Sequence, residues 1–240
     1  MDRDALSDLP IDAEDGGANA VEGAILGRYS CRAFLPTAVP RSTVEKLLAL
    51  ASHAPSGSNA QPWRVRVVAG KRRQSLSDEV VAAHFAGASP SEEYQYYPVA
   101  WREPYLTRRR KLGFDLYAKV GVARGDKEAI SRQLARNYLF FDAPVGLFFS
   151  LDRDQAQAAW IDLGAFMQTL MLAARSMGLA TCGLQSFAKF HAIVARHLAI
   201  GDEEILVCGM ALGFADEESA VNRLVAEREP LAAYCQFFCD

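Results

Sequence analysis

The sequence has few residues placed to carry chemistry on their own side chains. Its four histidines show no metal-ligand spacing, and its five cysteines form neither a CxxC pair nor a zinc-type pattern with histidine. An odd number of cysteines without a pairing pattern is typical of a reducing compartment. We therefore expect a cytoplasmic protein that holds no metal ion.

An excess of charge of one sign and long apolar runs are also missing. Lysine and arginine number 26 against 29 aspartates and glutamates, which gives a formal net charge of -3. No apolar run approaches the roughly 20 residues that span a bilayer, and the first residues lack the layout of a signal peptide. These absences predict no nucleic-acid partner and no membrane association. The one local basic run, residues 108–111, is interpreted as a solvated helix face.

Three common nucleotide-binding and catalytic motifs are absent. No GxGxxG follows a strand pattern, and neither GxxxxGK[ST] nor GxSxG occurs. This argues against a Rossmann dinucleotide fold, a P-loop fold and an α/β hydrolase. Cys182 has no histidine nearby in the sequence, and we interpret it as a buried thiol rather than a nucleophile. Because no carboxylate pair suits acid–base work either, the sequence predicts that a bound group carries the chemistry.

The apolar residues, half of the chain, predict one α/β domain with a substantial core. Residues 1–19 are acidic and aperiodic and predict a flexible tail, while residues 20–240 predict a single domain. About four or five strands are expected, and the apolar runs at 144–151 and 204–213 are typical of strands buried on both faces. Helices are in the majority, and the longest, over 156–177, is apolar enough to be buried.

Three helix ends carry recognisable capping patterns. Ser42 to Glu45 forms a capping-box pattern at the start of one helix, and Asp126 is placed to cap a helix over residues 127–141. Gly178 is placed to end the long apolar helix. We expect all three to act as helix boundaries.

The feature with the most polar groups is a loop over residues 54–63. It lies between a helical pattern and a valine-rich strand pattern and contains Pro55, Ser56, Asn59 and Gln61. Two prolines stiffen it, and the amides supply donors and acceptors that could contact the edge of a heterocycle. The alternative is a helix-to-strand connector whose amides bond to their own backbone.

Two further segments admit two interpretations each. Arg28, Ser30 and Arg32 form a cluster of donors suited to a phosphate, or else a surface turn with solvated arginines. Residues 87–104 form a long loop rich in glycine, proline and aromatic rings, which is unusual for a passive linker. It predicts either a contact with a second subunit or a lid over a substrate pocket.

Four motifs, in this order, resemble those of the FMN-dependent nitroreductase family. They are the arginine segment at 28–34, the order Pro-Ser-x-x-Asn-x-Gln-Pro-Trp at 55–63, the long helix before Gly178-Leu179, and residues 209–213 with the downstream Arg228-x-Pro230-Leu231. The resemblance extends from about residue 21 to residue 231. Residues 96–105 and 108–117 resemble more narrowly the nitrobenzoate-reductase-like branch.

The resemblance implies a site for FMN. The positions implied to bind it are Arg28, Tyr29, Ser30, Arg32, Pro55, Ser56, Asn59, Gln61, Leu184, Gln185, Ser186 and Arg228. The arginines and Ser30 would approach the phosphate, the loop at 55–61 would hold the ring, and residues 184–186 would place main-chain groups over the reactive flavin nitrogen. This last segment departs from the common Pro-x-Glu-Gly pattern of the family. Trp101, Tyr105 and Phe114 are candidates to contact an aromatic substrate.

The resemblance also implies an assembly and a reaction. The fold would be α+β, with a mixed central sheet, in an intertwined homodimer whose flavin sites lie at the interface. NADPH or NADH would pass a hydride to the flavin, and a nitroaromatic or quinone-like acceptor would take its place in a ping-pong reaction, with no side chain acting as acid or base. Two alternatives stay open: a flavoprotein of the same fold with dehalogenase-like or flavin-fragmenting chemistry, and a non-catalytic flavin-binding protein.

Overall fold

The computed structural model describes residues 20–239, so the expected tail over residues 1–19 lies outside the described residues. This part of the chain forms seven α-helices and four β-strands. In chain order they are α1 Ala20–Gly27, α2 Arg41–Ala51, β1 Arg64–Ala69, α3 Gly70–Phe85, α4 Tyr105–Lys119, α5 Lys127–Ala135, β2 Val145–Asp152, α6 Ala158–Ser176, β3 Ala180–Leu184, α7 His191–Leu198 and β4 Glu204–Gly213. Within this span, no helix has both the length and the apolar character needed to cross a bilayer.

The four strands form one sheet in the order β1-β2-β4-β3. The number of strands agrees with the prediction, but every pair of neighbouring strands is antiparallel, whereas a mixed sheet was expected. The reason is that β4 lies between β2 and β3, which run in the same direction and would form a parallel pair if they were adjacent. Among the described residues, the parallel pairing is an isolated bridge between Ser30 and Thr181.

The core has two layers, one on each face of the sheet. Along β2, Phe148 packs in one layer, while Leu147 and Phe149 pack in the other, because successive side chains of a strand point to opposite faces. Both β2 and β4 are buried along nearly their whole length. The prediction of two strands buried on both faces is confirmed.

Helix α6 is the long apolar helix that the pattern predicted, but one face of it is buried and Ile161 on another face is 76% exposed. It packs on the sheet through Leu163, Phe166 and Leu170, all nearly inaccessible to solvent. Gly178 follows it with a φ of 72°, a left-handed conformation that glycine adopts without strain, as expected at a helix C-terminus. Helix α6 also contacts α1, α2, β3 and the short 3-10 turn Gly57–Asn59. It therefore borders the polar loop before β1, the strand β3 and the helix that precedes the arginine segment.

Two of the expected helix boundaries are wrong. Pro40, rather than Ser42, precedes the first residue of α2, and the Pro40 carbonyl accepts from the N–H groups of Thr43 and Val44 at 3.0 and 3.2 Å. Helix α5 stops at Ala135 instead of continuing to residue 141, because the N–H groups of residues 137–140 bond to the carbonyl three residues back rather than four, and Phe140, Phe141 and Asp142 then have positive φ. The expected cap at Asp126 is confirmed: its carboxylate accepts from the Ala129 N–H at 2.9 Å.

Candidate functional site

The segment that follows α1 lies along the edge of β3. The bridge between Ser30 and Thr181 is accompanied by a hydrogen bond of 3.0 Å from the Cys31 N–H to the Thr181 carbonyl. The Ser30 hydroxyl also interacts with the thiol of Cys182. Arg28 and Arg32 flank this pairing, so both guanidiniums are held beside the middle of β3.

Three arginines with little compensating charge lie along this segment: Arg228 is beside Arg28, and Arg28 and Arg32 are both close enough to Cys182 to affect its thiol. Burial, and then the positive charge of Arg228, lower the pKa of Arg28. Arg228 donates to the carbonyls of Ala226 and Glu227, at 2.8 and 3.1 Å, and Arg32 donates to the Ser30 carbonyl at 3.2 Å. Among residues 20–239, no carboxylate lies within ion-pair distance of these three guanidiniums. Such a site favours a multiply charged anion, and a phosphate monoester fits it.

Asn222 holds this segment in place, and sequence reasoning missed it. Its side chain is 2% exposed. It accepts from the Arg32 N–H at 2.7 Å and donates to the carbonyls of Ala33 at 2.7 Å and Asp216 at 2.8 Å. These bonds join two segments far apart in the sequence, so no local pattern could have identified the residue.

Arg32 also borders an open cavity. The cavity has a volume of about 220 Å³ and is lined in addition by Lys119, Gln133, Arg136 and residues 219–221. It is small for a complete cofactor, because pockets for drug-sized ligands occupy about 300–1,000 Å³. Its position leaves the Arg32 guanidinium accessible from solvent.

Cys182 is buried beside the arginines, as the sequence predicted. Burial raises the pKa of its thiol, although Arg32, Ser30 and Arg28 act in the opposite direction. A buried thiol with a raised pKa is a poor nucleophile at neutral pH. Cys182 therefore packs in the core, and the positive charge of the neighbouring Arg28 and Arg32 is available to bind a ligand.

The loop at residues 54–63 is rigid and conformationally unusual. Ser58, Asn59 and Gln61 all have positive φ, between 49° and 58°, which is uncommon outside glycine. The Gly57 N–H donates to the Asp162 carboxylate of α6 at 3.2 Å, and Trp63 stacks on Phe166 with ring centroids 4.8 Å apart. An unusual backbone held by surrounding structure is common at binding sites.

Both interpretations of this loop are partly supported. The Gln61 N–H donates to the Ser56 hydroxyl at 3.0 Å, and the Gln61 amide donates to the Asn59 side-chain oxygen at 3.2 Å, so the loop does satisfy some of its own groups. Within the described part of the chain, however, the Asn59 amide nitrogen and the Gln61 amide oxygen have no protein partner. Both residues are exposed. One donor and one acceptor therefore remain for a planar polar ligand.

The third predicted segment begins where β3 ends. Leu184 is buried, Gln185 is exposed and Ser186 is half-buried, at the start of a 3-10 helix, Gln185–Phe190. Cys182 and Gln185 are three residues apart, about 10 Å along an extended strand. The arginine cluster and the predicted flavin-edge segment thus follow one another along β3, as the two ends of an elongated ligand require.

The structure does not bring together the three side chains predicted to contact an aromatic substrate, Trp101, Tyr105 and Phe114. Tyr105 and Phe114 are nine residues apart on α4, which places them on opposite faces of the helix and about 13 Å apart along its axis. Trp101 instead packs edge-on against Tyr97, with centroids 5.5 Å apart. Tyr29 is half-buried and packs against the core. One small aromatic molecule cannot contact both Tyr105 and Phe114 within one protomer.

The basic run on α4 is more than a solvated face. Arg108 pairs with Glu229 at 2.7 Å, and Lys111 pairs with Glu227 at 3.0 Å. Each exposed pair contributes only about 0–1 kcal/mol, but together they fix both neighbours of Arg228. Sequence reasoning missed this role, which keeps Arg228 beside Arg28.

A metal centre finds no support in the described residues. Nowhere in residues 20–239 do three or more histidine, cysteine, aspartate or glutamate side chains gather closely enough to hold an ion. The arrangement provides cations, main-chain groups and amides, which bind and orient a ligand.

The sequence and the fold are similar to those of known proteins. A model of the Nitroreductase family matches residues 25–214. A 4-nitrobenzoate reductase from Nocardioides sp. (strain LMS-CY) is 38% identical over 224 residues, which cover 92% of this chain and 91% of that protein. A chloronitrobenzene nitroreductase from Comamonas testosteroni is 36% identical over 220 residues, covering 90% of this chain and 96% of that protein. The crystal structure of the FMN and NADPH-dependent nitroreductase NfnB from sphigopyxis sp. strain HMH has a TM-score of 0.88 at 37% identity and covers 93% of this chain and 100% of its own.

Proposed function

The chain belongs to the nitroreductase family, and from that membership we propose that it reduces nitroaromatic compounds with electrons from NADPH at a bound FMN. The observation that carries the proposal for this chain is the cluster of Arg28, Arg32 and Arg228 without a carboxylate partner among the described residues. Arg28 and Arg228 repel each other, and burial adds to the cost of charging Arg28, so an anion bound between them stabilises the protein. The phosphate of FMN supplies that anion.

The residues divide the work of binding. Arg28, Ser30, Arg32 and Arg228 hold the phosphate beside β3. Pro55, Ser56, Asn59 and Gln61 form the loop that contacts the flavin ring, with the free amide groups of Asn59 and Gln61 directed to its polar edge. Leu184, Gln185 and Ser186 present main-chain groups at the end of β3, next to the reactive part of the ring.

The protein's contribution to the chemistry is binding and orientation. When bound, FMN supplies the hydride chemistry that moves two electrons from NADPH to the nitro group. The rigid loop at 54–63 fixes the plane in which a ring can lie, because Asp162 and Phe166 anchor it to α6. No side chain is needed as a general acid or base.

We further propose that the protein acts as a homodimer in the cytoplasm on small aromatic substrates. Its C-terminal segment exposes Tyr234, Phe237 and Phe238, the last of them 90% accessible, and α1 exposes Ile25 and Leu26. Apolar surfaces of this kind are usually covered by a partner. Light scattering on the purified protein is expected to give twice the chain mass, and a monomer at micromolar concentration would contradict this proposal.

The reaction is tested by an absorbance spectrum followed by one reductive cycle. Purified protein is expected to show flavin absorbance, to lose it on anaerobic addition of NADPH, and to regain it on addition of 4-nitrobenzoate. Benzoate, which lacks the nitro group, is the matched control and should not restore the absorbance. A flavin that NADPH does not bleach, or that the nitro compound does not restore, would refute the proposed function.

A further inference from the structure

The loop at residues 87–104 and helix α4 together form a cluster of rings around one guanidinium. Tyr96 and Tyr97 lie 4.5 Å apart between ring centroids, and Tyr97 and Trp101 lie 5.5 Å apart. Arg109 of α4 lies 5.2 Å from the Trp101 centroid and 5.8 Å from that of Tyr97. We call these four residues the ring cluster.

The ring cluster contacts the 3-10 helix that begins at the proposed flavin site. The ammonium of Lys189 lies 6.0 Å from the Tyr96 ring, and the Lys189 carbonyl accepts from the Ser91 N–H at 2.8 Å. Lys189 belongs to the 3-10 helix Gln185–Phe190, which starts with residues proposed to contact the flavin edge. The cluster therefore extends from the far end of this 3-10 helix to α4.

Arg109 differs from the other cations of the basic run on α4. Arg108 pairs with Glu229, and Lys111 pairs with Asp115 and Glu227. Within residues 20–239, neither Arg109 nor Arg110 has a carboxylate partner, but Arg110 contacts no ring. Arg109 is thus an exposed cation with no compensating charge that is held against two aromatic rings.

No negative charge arises from the rings themselves. Burial raises the pKa of Tyr96 to about 12, so its phenol is neutral at neutral pH. Glu92 lies near Tyr96, and the Glu103 carboxylate accepts from the Thr107 N–H at 3.2 Å. Neither carboxylate reaches Arg109. The guanidinium is free to bind an anion that arrives with a substrate.

We propose that Arg109, with Trp101 and Tyr97 as the surface for a ring, recognises the carboxylate of an aromatic acid, so that nitroarenes carrying a carboxylate are the favoured acceptors. A guanidinium binds a carboxylate through two parallel hydrogen bonds, and aromatic rings pack against an arene. The proposal rests on the proposed function. Membership of the family does not decide the point, because one relative is named for a nitrobenzoate and the other for an uncharged chloronitrobenzene.

The test compares a charged and an uncharged acceptor in matched variants. The ratio of kcat/KM for 4-nitrobenzoate to kcat/KM for nitrobenzene is measured in the FMN-loaded wild type, Arg109→Gln, Arg109→Lys and Arg110→Gln. Wild type should favour 4-nitrobenzoate. Loss of a charge-assisted contact predicts that Arg109→Gln lowers the ratio by about 10–100-fold, mainly through a higher KM for 4-nitrobenzoate. Arg109→Lys should keep part of the preference for 4-nitrobenzoate, and Arg110→Gln should have the same ratio as wild type.

A purely structural role for Arg109 gives a different result. If the guanidinium only supports the packing of the rings, Arg109→Gln lowers kcat/KM for both acceptors equally, and the proposal is overturned. A wild type that favours nitrobenzene, or an unchanged ratio in Arg109→Gln, overturns it as well.

A binding measurement separates this proposal from the proposed function. Titration calorimetry of the FMN-loaded protein with benzoate requires no turnover. Binding that weakens about tenfold or more in Arg109→Gln, but not in Arg110→Gln, supports the carboxylate site even if neither acceptor is reduced. Benzoate that does not bind to wild type, or binds equally to wild type and Arg109→Gln, overturns it.

Discussion

Replacing Arg28 with alanine should weaken FMN binding without lowering the stability of the flavin-free protein. Arg28 is half-buried beside Arg228, and both its burial and that neighbouring charge disfavour its charged form. The bound phosphate reverses this situation by supplying the missing negative charge. Arg28→Ala therefore removes a favourable contact from the complex and an unfavourable one from the free protein.

The magnitude follows from the geometry. A hydrogen bond to a charged group contributes about 1.5–3 kcal/mol, and we take the lower end, about 1.5–2 kcal/mol, because Arg28 is partly solvated and shares the phosphate with Arg32 and Arg228. At about 1.4 kcal/mol for each factor of ten, the Kd for FMN rises by about 10–30-fold. The free energy of unfolding of the flavin-free protein should stay within about 0.5 kcal/mol of wild type or increase.

The assay uses riboflavin as an internal comparison. Riboflavin lacks the phosphate, so its Kd, measured by quenching of flavin fluorescence, should be nearly equal in wild type and Arg28→Ala. Arg41→Ala is the matched control, since Arg41 is an exposed arginine that pairs with Glu45 on α2. If FMN and riboflavin weaken equally, or if the flavin-free protein loses more than about 1 kcal/mol, the placement of Arg28 at the phosphate is refuted.

Three further predictions concern the scaffold of the site. Hydrogen bonds from Arg66 hold the pKa of the buried Glu204 below its usual value, so this pair stabilises the protein above the unfolded pKa of about 4.3 and loses its effect as pH falls through the folded pKa. In urea titrations, Glu204→Gln should lower the free energy of unfolding by about 2–4 kcal/mol at pH 7 and by less near pH 3.5. An equal loss at both pH values would contradict this. Gly146→Ala should destabilise the protein by about 1–3 kcal/mol in the same titrations, because the new Cβ would lie 2.3 Å from Phe140 Cε1, and a neutral result would show that the ring can move. Asp162→Ala should raise the Kd for both FMN and riboflavin by about threefold to tenfold, with little change in Tm, because it frees the polar loop; an effect confined to FMN would be inconsistent with a contact to the ring.

Much of the fold could be predicted because its signals are local. The length of α6, the burial of β2 and β4, the cap at Asp126 and the stop at Gly178 follow from periodicity and turn chemistry within a few residues. The end of α5 could not be predicted in this way. After α5 ends at Ala135, Phe140 and Phe141 adopt positive φ and place their rings in the core, and this tertiary packing outweighs the local helical pattern.

The candidate site likewise has parts that a local sequence pattern indicates and parts that only tertiary contacts bring together. The sequence by itself identified the arginine segment after α1 and the polar loop before β1, since each is a compact set of neighbouring residues, whereas residues 184–186 at the end of β3 were implied by the family resemblance. Only the tertiary structure decided that Arg228 reaches Arg28, that Asn222 fixes Arg32, and that α4 binds the segment around Arg228. Those contacts join residues distant in the chain. They exist only once the order of the strands and the position of α4 are set, and no local pattern encodes either one.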